Sequence, residues 1–478
     1  MDIFGLKRHA AKLGETSNIY VATLTSFFLC AAALLFAAIE ERPLSNEGGQ
    51  WVYEILNTSG ASYSHVFFRY SDILFQIPSI LAMRILGETG IGLATTLAEL
   101  SYSLHPVVSI LICAWILKRR ERIDLILWPL LSFAIATMPT APFSVGVVAG
   151  ATSFFWPAFL LVCLSPRPSP KTTIAILAFS VLLLFSHESA LALFVPLSLA
   201  SLAMNGWRWP TNRVHRRLTV FFVFGLLSYL ARLLIEQADP RSKFFSEVFR
   251  PWNSEREFGL ALLLLTSLTL PSALGSTRSK YFSALLAAGT VLFTTWMLLF
   301  ADLTQVKTEY GYAARASATS LATVIALLFL ILFSNLMRTP DWIRSVGGRA
   351  FVVVTFLSLL AAAVVDYQVT NAWKESLDEL RSYNTIKGCH FATGPYYNQR
   401  TKSLTEYTSV VLQRNARPDS IVFMSSTCPQ PNYNPCEHYS ADHFTNSCGT
   451  NLFTKLGRYR YESITASKAE LTSGQKKR

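Results

Sequence analysis

Long apolar runs separated by short polar, base-rich stretches dominate the chain. Windows of about 20 apolar residues, enough to cross a hydrocarbon core of ~30 Å, begin near Ile19, Ile91, Leu125, Ser144, Thr172, Leu218, Phe258, Tyr281, Ser317 and Ala350. The pattern predicts an all-α polytopic membrane protein. The Thr172 window is anomalous. It continues to Met204, about 33 residues or roughly 50 Å as a helix, and its centre, "LLLFSHESALALF", carries Ser186, His187, Glu188 and Ser189. A charged side chain in hydrocarbon costs roughly 2.5 to 3.5 kcal/mol even on the most lenient insertion scale. Two short helices with SHES at the turn would avoid that cost, and on length alone a single tilted helix also fits.

Positive charge chooses between them. Lys and Arg collect in cytoplasmic loops, and here they cluster at Lys7, Arg8 and Lys12; at Lys118, Arg119, Arg120 and Arg122; at Arg167 and Lys171; at Arg208, Arg213, Arg216 and Arg217; at Arg278 and Lys280; and at Arg338, Arg344 and Arg349. Passing from Lys171 to Arg208 without changing sides takes an even number of crossings, so residues 172–204 are expected to form a hairpin. The total becomes about eleven transmembrane helices. SHES then lies at the outer surface, and everything after Tyr367 is extracytoplasmic. The expected organisation is a cytoplasmic basic arm over 1–16, a transmembrane domain over 17–368 whose first outer loop is 40–90, a small extracytoplasmic α+β domain over 369–461 with "SIVFM" as a strand, and a disordered tail over 462–478.

Composition agrees with this class: 51% of residues are hydrophobic and only 15% are charged, which excludes an ordinary soluble domain. The first span, long and preceded by basic residues, reads as a signal anchor in the inner or plasma membrane. The net charge of +12 needs no nucleic acid, since anionic lipid headgroups are the natural partner of basic cytoplasmic loops. No Walker loop, GxGxxG before a helix or HExxH is present. Cys30, Cys113 and Cys163 fall in apolar spans, whereas Cys389, Cys428, Cys436 and Cys448 all fall in the outer domain. An even number of cysteines outside the membrane suggests two disulfides. A zinc site using His390, His438 or His443 is the rival, but no CxxC pair supports it, and no metal ligand is assigned.

Ionisable residues at the span ends concentrate on the outer side. "EERP" places Glu40 and Glu41 directly after the first span, and "FFRYSD" carries Arg69 and Asp72. "ILFQIPSILAMRIL" is apolar but too short to cross, so it suits an interfacial helix. Later outer ends bring His187 and Glu188, Arg232 and Glu236, Asp302, and "KTEYGYAARAS" with Lys307, Tyr310, Tyr312 and Arg315. Each has a plainer reading: Arg232 and Glu236 are spaced to pair with each other, Arg315 is placed to snorkel, and the polar residues of SHES suit a turn. Glu99 and His105, in "TTLAELSYSLHPVV", lie deeper and read as buried and paired more than catalytic. Carboxylates and cations gathered at an outer boundary suit chemistry on a phosphate-bearing lipid, with Arg or Lys on the leaving oxygens and a carboxylate or His as general base.

In layout, residues 1–368 resemble the GT-C superfamily of polytopic membrane glycosyltransferases, which use polyprenyl-linked sugar donors. "AIEERP" stands where that family has its acidic motif, "FRYSDILFQIPSILAMRIL" is similar to the second half of its first outer loop, and "YGYAARASATSLATVIALL" is similar to the aromatic and arginine start of a late span near the donor phosphate. The family pattern pairs an Asp with an acidic neighbour, whereas this chain has Glu40 and Glu41. The resemblance implies sugar transfer from a polyprenyl-phosphate donor to an acceptor glycan or lipid on the extracytoplasmic face. It implies a catalytic base among Glu41, Glu40 and Asp72, donor phosphate held by Arg315 with Lys307 and Arg232, and a pocket lined by His187, Glu188, Arg69, Tyr310 and Tyr312. No cofactor is required and a divalent metal is optional. A polysaccharide polymerase or ligase using a lipid-linked oligosaccharide, a transporter or flippase, and a scaffold role remain as alternatives.

Overall fold

The computed structural model describes residues 16–45, 47–61, 70–138, 148–205, 208–210, 212–237, 310–333, 337, 340–344, 346–383, 388–391 and 420–423. The basic arm, the apolar windows near Phe258 and Tyr281, the tail, and most of the expected outer domain lie outside these described residues. What is described is almost wholly helical. Among the described residues three helices are long and apolar enough to cross a membrane: Val21–Ile39, Ile91–Arg119 and Phe351–Glu375. Shorter apolar helices cover Ile123–Thr137, Ala149–Cys163, Pro170–Leu184, Ala190–Ala203 and Leu321–Phe333.

In chain order the elements are α1 (Thr16–Ile39), a 3-10 turn (Arg42–Ser45), α2 (Glu47–Thr58), a 3-10 turn (Tyr70–Asp72), α3 (Ile73–Leu86), α4 (Ile91–Arg119) and α5 (Leu127–Ser132), which runs into a π-helical turn (Phe133–Thr137). A second π-helical turn (Ala149–Phe154) leads into α6 (Phe155–Cys163). Then come α7 (Pro170–Leu184), a 3-10 segment (Glu188–Leu193), α8 (Phe194–Ala203), α9 (Arg213–Gln237), α10 (Tyr310–Phe333), a 3-10 turn (Pro340–Arg344) and α11 (Val346–Tyr383). Two short strands, β1 (Gly388–Phe391) and β2 (Ser420–Phe423), pair in parallel, β2 falling on "SIVFM". The expected domain boundary at 368 falls inside α11, which continues unbroken to Tyr383.

The bundle has two chemically distinct ends. At one, Arg120 donates to the Ser165 hydroxyl (3.0 Å) and Arg122 to the Met337 carbonyl (2.7 Å). There too, Trp342 Nε1 donates to Asp124 (2.7 Å) and the His215 ring meets the Pro166 carbonyl (2.7 Å). These bonds gather the C-terminal ends of α4, α6 and α10 with the starts of α9 and α11. Lys118, Arg119, Arg213, Arg216 and Arg217 belong to these helix ends, and Lys171 to the start of α7, which follows α6 after a short turn. At the other end, Lys374 of α11 pairs with Glu40 (2.8 Å), and Ser71 donates through both N–H (3.1 Å) and hydroxyl (2.9 Å) to the Phe185 carbonyl that closes α7.

The long 172–204 run is broken between these ends. Ser169 caps α7 by accepting from the Thr172 N–H (3.2 Å), with Pro170 at the first helical position. The helix then stops at Phe185 at the carboxylate end. α8 returns, since Ser201 in its last turn shares a hydroxyl contact of 2.6 Å with Thr219 in the early turns of α9. The chain therefore reverses at SHES.

α1 and α11 run parallel. Thr23 reaches the Val352 carbonyl (3.5 Å), Cys30 Sγ the Leu359 carbonyl (3.1 Å), and the Phe36 and Tyr367 rings lie 5.4 Å apart. The series ends with Glu40 against Trp373 and Lys374. Two parallel passes mean that an odd number of passes separates them, and both leave the bundle at the carboxylate end.

Large apolar side chains face outward as well as inward, and hydroxyls are found inside. Leu29, Leu35, Val108, Trp115, Phe224 and Leu227 are exposed, whereas Thr23, Ser26, Thr95, Ser109, Ser201 and Thr355 are buried. Many interior hydroxyls bond the carbonyl one turn back, as Ser26 does to Ala22, Thr95 to Ile91 and Thr355 to Phe351, which satisfies them without water. Gly225 lets α9 approach the Phe194 ring so closely that a Cβ would lie 2.6 Å from it. Small residues at helix contacts serve this purpose in membranes.

The contact that closes the α1–α11 seam is the buried ion pair of Arg42 and Asp366 at 2.6 Å, with Thr370 accepting a further bond from Arg42 (3.1 Å). Removing one partner strands the other charge. Arg42→Ala is expected to cost about 3 to 5 kcal/mol, and the double variant Arg42→Met with Asp366→Leu to recover most of it; thermal unfolding in detergent compares the two.

Candidate functional site

The residues at the carboxylate end come from segments far apart in sequence. α1 ends on the acidic turn: Glu40 N–H bonds the Phe36 carbonyl (2.9 Å) and Glu41 N–H the Ala38 carbonyl (3.1 Å), with Glu41 at φ 57°. The left-handed conformation is a helix-ending device that Gly ordinarily supplies, and Ser59 and Glu121 end α2 and α4 in the same way. What distinguishes Glu41 is its flanks. Glu40 is fixed by the Lys374 ammonium on its side chain and by Trp373 Nε1 on its carbonyl (2.9 Å), and Arg42 is fixed by Asp366. Of the three candidate bases, Glu40 is thus engaged in an ion pair, and Glu41 is held between two anchored neighbours.

Asp72 is buried and opens α3 without capping it through its side chain. Helix α3 shows an apolar outer stripe of Leu74, Ile77, Leu81 and Ile85 and buries Gln76, Ser79 and Met83, as an interfacial helix does. Ser79 donates to the Ala94 carbonyl (2.7 Å), so α3 lies along α4. Asp72 and Glu54 both act electrostatically on the Tyr102 hydroxyl in α4. The Tyr102 ring meets Trp51 edge-on at 5.7 Å, and a Cβ on Gly48 would lie 3.7 Å from it and against the Pro43 carbonyl. Tyr102 therefore sits where the segments after the acidic turn meet the Asp72 turn.

The Ser71 bonds to Phe185 bring Asp72 beside SHES. Ser186 and His187 are buried there, Ser186 donating to the Leu183 carbonyl (2.7 Å). The π-helical turn Ala149–Phe154 fills the space between SHES and α4. A Cβ on Gly150 would lie 2.5 Å from Ala190 Cβ and 2.9 Å from Ser186 Oγ. One turn on, Ser153 Oγ contacts His105 Nδ1 at 3.1 Å, and Thr152 offers its carbonyl to Ser109 (2.9 Å). The Phe75 ring covers His105 at 4.5 Å. π-helical turns occur often at functional sites because the extra residue disrupts the regular bonding ladder.

Backbone position assigns the other expected residues to the same end. Glu188, within SHES, begins the 3-10 segment, and this segment packs against α10. Tyr310, Tyr312 and Arg315 occupy the first turns of α10, whose C-terminal end is at the arginine-rich end. Arg232 and Glu236 lie on the last turns of α9, beyond Gly225. Arg69 and Lys307 lie outside the described residues, as do Cys428, Cys436 and Cys448; Cys389 is placed as backbone of β1. Among the described residues Cys30, Cys113 and Cys163 are buried and free, and no group of three His, Cys, Asp or Glu is arranged to hold a metal ion.

Sequence reasoning passed over Asp366, Tyr102 and the neutral turn "AGATSF". A lone carboxylate in "AAAVVDYQV" was a readable signal, because an intramembrane acid is functional or paired by default. The turn carries no charge, and only packing reveals it. No family profile, curated protein or solved structure matches the chain.

Two substitutions probe this arrangement. Glu41→Gly relieves a left-handed residue and is expected to hold or raise stability by about 1 kcal/mol; a drop in the thermal midpoint would make the carboxylate a structural group. Gly150→Ala drives a methyl into Ser186 and Ala190 and is expected to cost about 1 to 3 kcal/mol, measured by the same unfolding assay.

Proposed function

We propose that the chain is an integral membrane glycosyltransferase that moves a sugar from a polyprenyl-phosphate donor to an acceptor glycan or lipid at the carboxylate end of the bundle, read as the extracytoplasmic face. The observation that carries the reading is the convergence at one end of the acidic turn, the Asp72 turn, the SHES reversal and the first turns of α10, with the arginine-rich helix ends opposite. The positive-inside rule puts those arginines in the cytoplasm, and the parallel α1 and α11 fit the odd total of about eleven spans. By the same rule the segment after α11 is extracytoplasmic, and Cys389, Cys428, Cys436 and Cys448 are proposed to pair there in two disulfides within a small α+β unit.

In this scheme the donor reaches the site laterally from the outer leaflet, along the apolar stripe of α3. Arg315, with Lys307 and Arg232, balances the phosphate charge. A carboxylate, Glu41 or Asp72, accepts the proton of the acceptor hydroxyl as its oxygen attacks the anomeric carbon. The bond from that carbon to the phosphate oxygen breaks, and the electron pair leaves with the phosphate, where the cations stabilise it. Glu40 serves less well as base, because its carboxylate is already engaged by the Lys374 ammonium. His187 and Glu188 belong to the sugar pocket.

A transporter or flippase is the second reading, favoured by the buried polar face of α4. Native mass spectrometry and lipid extraction of the gently purified protein separate the two. A monosaccharide-bearing polyprenyl phosphate is expected, with transfer falling at least a hundredfold in Arg315→Ala at unchanged expression. A polyprenyl pyrophosphate carrying an oligosaccharide points instead to a polymerase or ligase. Absence of any carrier returns the transporter to first place.

A further inference from the structure

α4 carries a polar face that the proposed transfer chemistry does not use. Tyr102, Ser103 and His105 are all buried, and so is Thr152 on the facing π-helical turn. Yet Tyr102 OH, Ser103 Oγ, His105 Nε2 and Thr152 Oγ1 have no hydrogen-bond partner among the described residues. Buried polar atoms almost always find one, and leaving one unmade costs more than replacing the group by an apolar isostere. Pro106 adds to the deficit. It lacks the N–H that would otherwise bond the Tyr102 carbonyl. So many unmet polar groups around one turn of helix mark a place completed by something else.

We infer that this face, with the π-helical turn Ala149–Phe154, is a binding subsite for a neutral hydroxyl-rich ring, the sugar of the lipid-linked donor. The inference rests on the transferase reading above and names the part of the substrate that lies deepest. Three chemical features select this ligand. Hydroxyls and an imidazole both donate and accept, depending on rotamer and tautomer, which matches the dual character of sugar hydroxyls. Charge argues against phosphate, because Asp72 and Glu54 act on Tyr102, and Arg42 in the neighbouring turn is committed to Asp366. Trp51 beside Tyr102 and Phe75 over His105 supply aromatic surface for the C–H faces of a ring. His105 is oriented by Ser153 on Nδ1, which leaves Nε2 for the ligand.

The test uses the full chain in detergent and two conservative variants, Tyr102→Phe and Thr152→Val. If the hydroxyls are kept for a ligand, both variants raise the melting temperature of the ligand-free protein. A lower melting temperature in both would make the hydroxyls structural and overturn the inference. Binding is read separately by saturation-transfer NMR with a panel of methyl hexosides and pentosides, and by titration with a C20 prenyl phosphate with and without an attached hexose. Expected results are saturation of at least one methyl glycoside, lost in His105→Leu, and affinity for the glycosylated carrier at least tenfold weaker in each variant while the bare carrier binds unchanged. No glycoside signal in the wild type, or equal loss of both carriers in the variants, overturns the subsite even when the carrier binds. Failure of the wild type to bind either carrier sinks the lipid-linked transferase reading alone, and the glycoside arm then decides the subsite.

Discussion

Everything at the carboxylate end depends on the buried ion pair between Arg42 and Asp366. Two charges removed from water repay their desolvation only in good geometry, and here the 2.6 Å contact and the bond to Thr370 supply it. An apolar pair of similar volume would hold α1 to α11 no less tightly. What the ions add is register. A guanidinium that must meet one carboxylate fixes the end of α1 along and around α11. That in turn fixes Glu40 against Trp373 and Lys374 and holds Glu41 in a turn clamped on both sides.

The rest of the bundle follows from a solvent that offers no hydrogen bonds. Interior Ser and Thr bond carbonyls of their own helices, and many large apolar side chains, Leu29, Trp115 and Phe224 among them, face outward beside a core that is also apolar. Helices can then pack closely through small residues, as Gly225 does on Phe194 and Gly150 on Ser186. In such an interior, a polar atom without a partner is conspicuous. Those on α4 and the π-helical turn fall where the regular ladder is interrupted by Pro106 and by the extra residue of the π turn.

Much of this layout was legible in the sequence, for identifiable reasons. The break at SHES followed from a run too long for one crossing combined with basic clusters on both sides of it, and the bonds of Ser71 to Phe185 and of Ser201 to Thr219 show the reversal. That "ILFQIPSILAMRIL" is too short to cross was readable from its length, and it forms a 14-residue helix. The 40–90 stretch was less well anticipated, because it is not an open loop: Leu44, Trp51, Val52, Ile55, Ile80 and Met83 form a small core of their own against Ala98 and Tyr102. Local patterns do not reveal such a core, since its members are spread over three helices. Pairings between distant charges were equally hidden. Nothing near Arg42 points to Asp366, and nothing near Glu40 points to Lys374.

The arrangement separates charge by depth. Glu40, Arg42 and Lys374 sit at the end of the bundle in ion pairs, whereas the deeper groups on α4 and its neighbours are mostly hydroxyls and an imidazole, with Glu99 and Asp72 as the buried acids. This order suits a substrate whose charged part stays near the boundary while its neutral part goes further in. A phosphate needs cations and tolerates water, so a shallow position costs it little. A sugar ring binds through many modest hydrogen bonds that gain strength where water is excluded. A transport path would need the polar groups to continue toward the opposite face. Below Ser109 the interior of α4 becomes apolar through Ile110, Cys113, Ala114, Ile116 and Leu117, and the polar face has a floor. A polar face that ends partway suits a site that holds its ligand for chemistry at the open end better than a path through the bundle, which is the physical reason to propose an enzyme before a carrier.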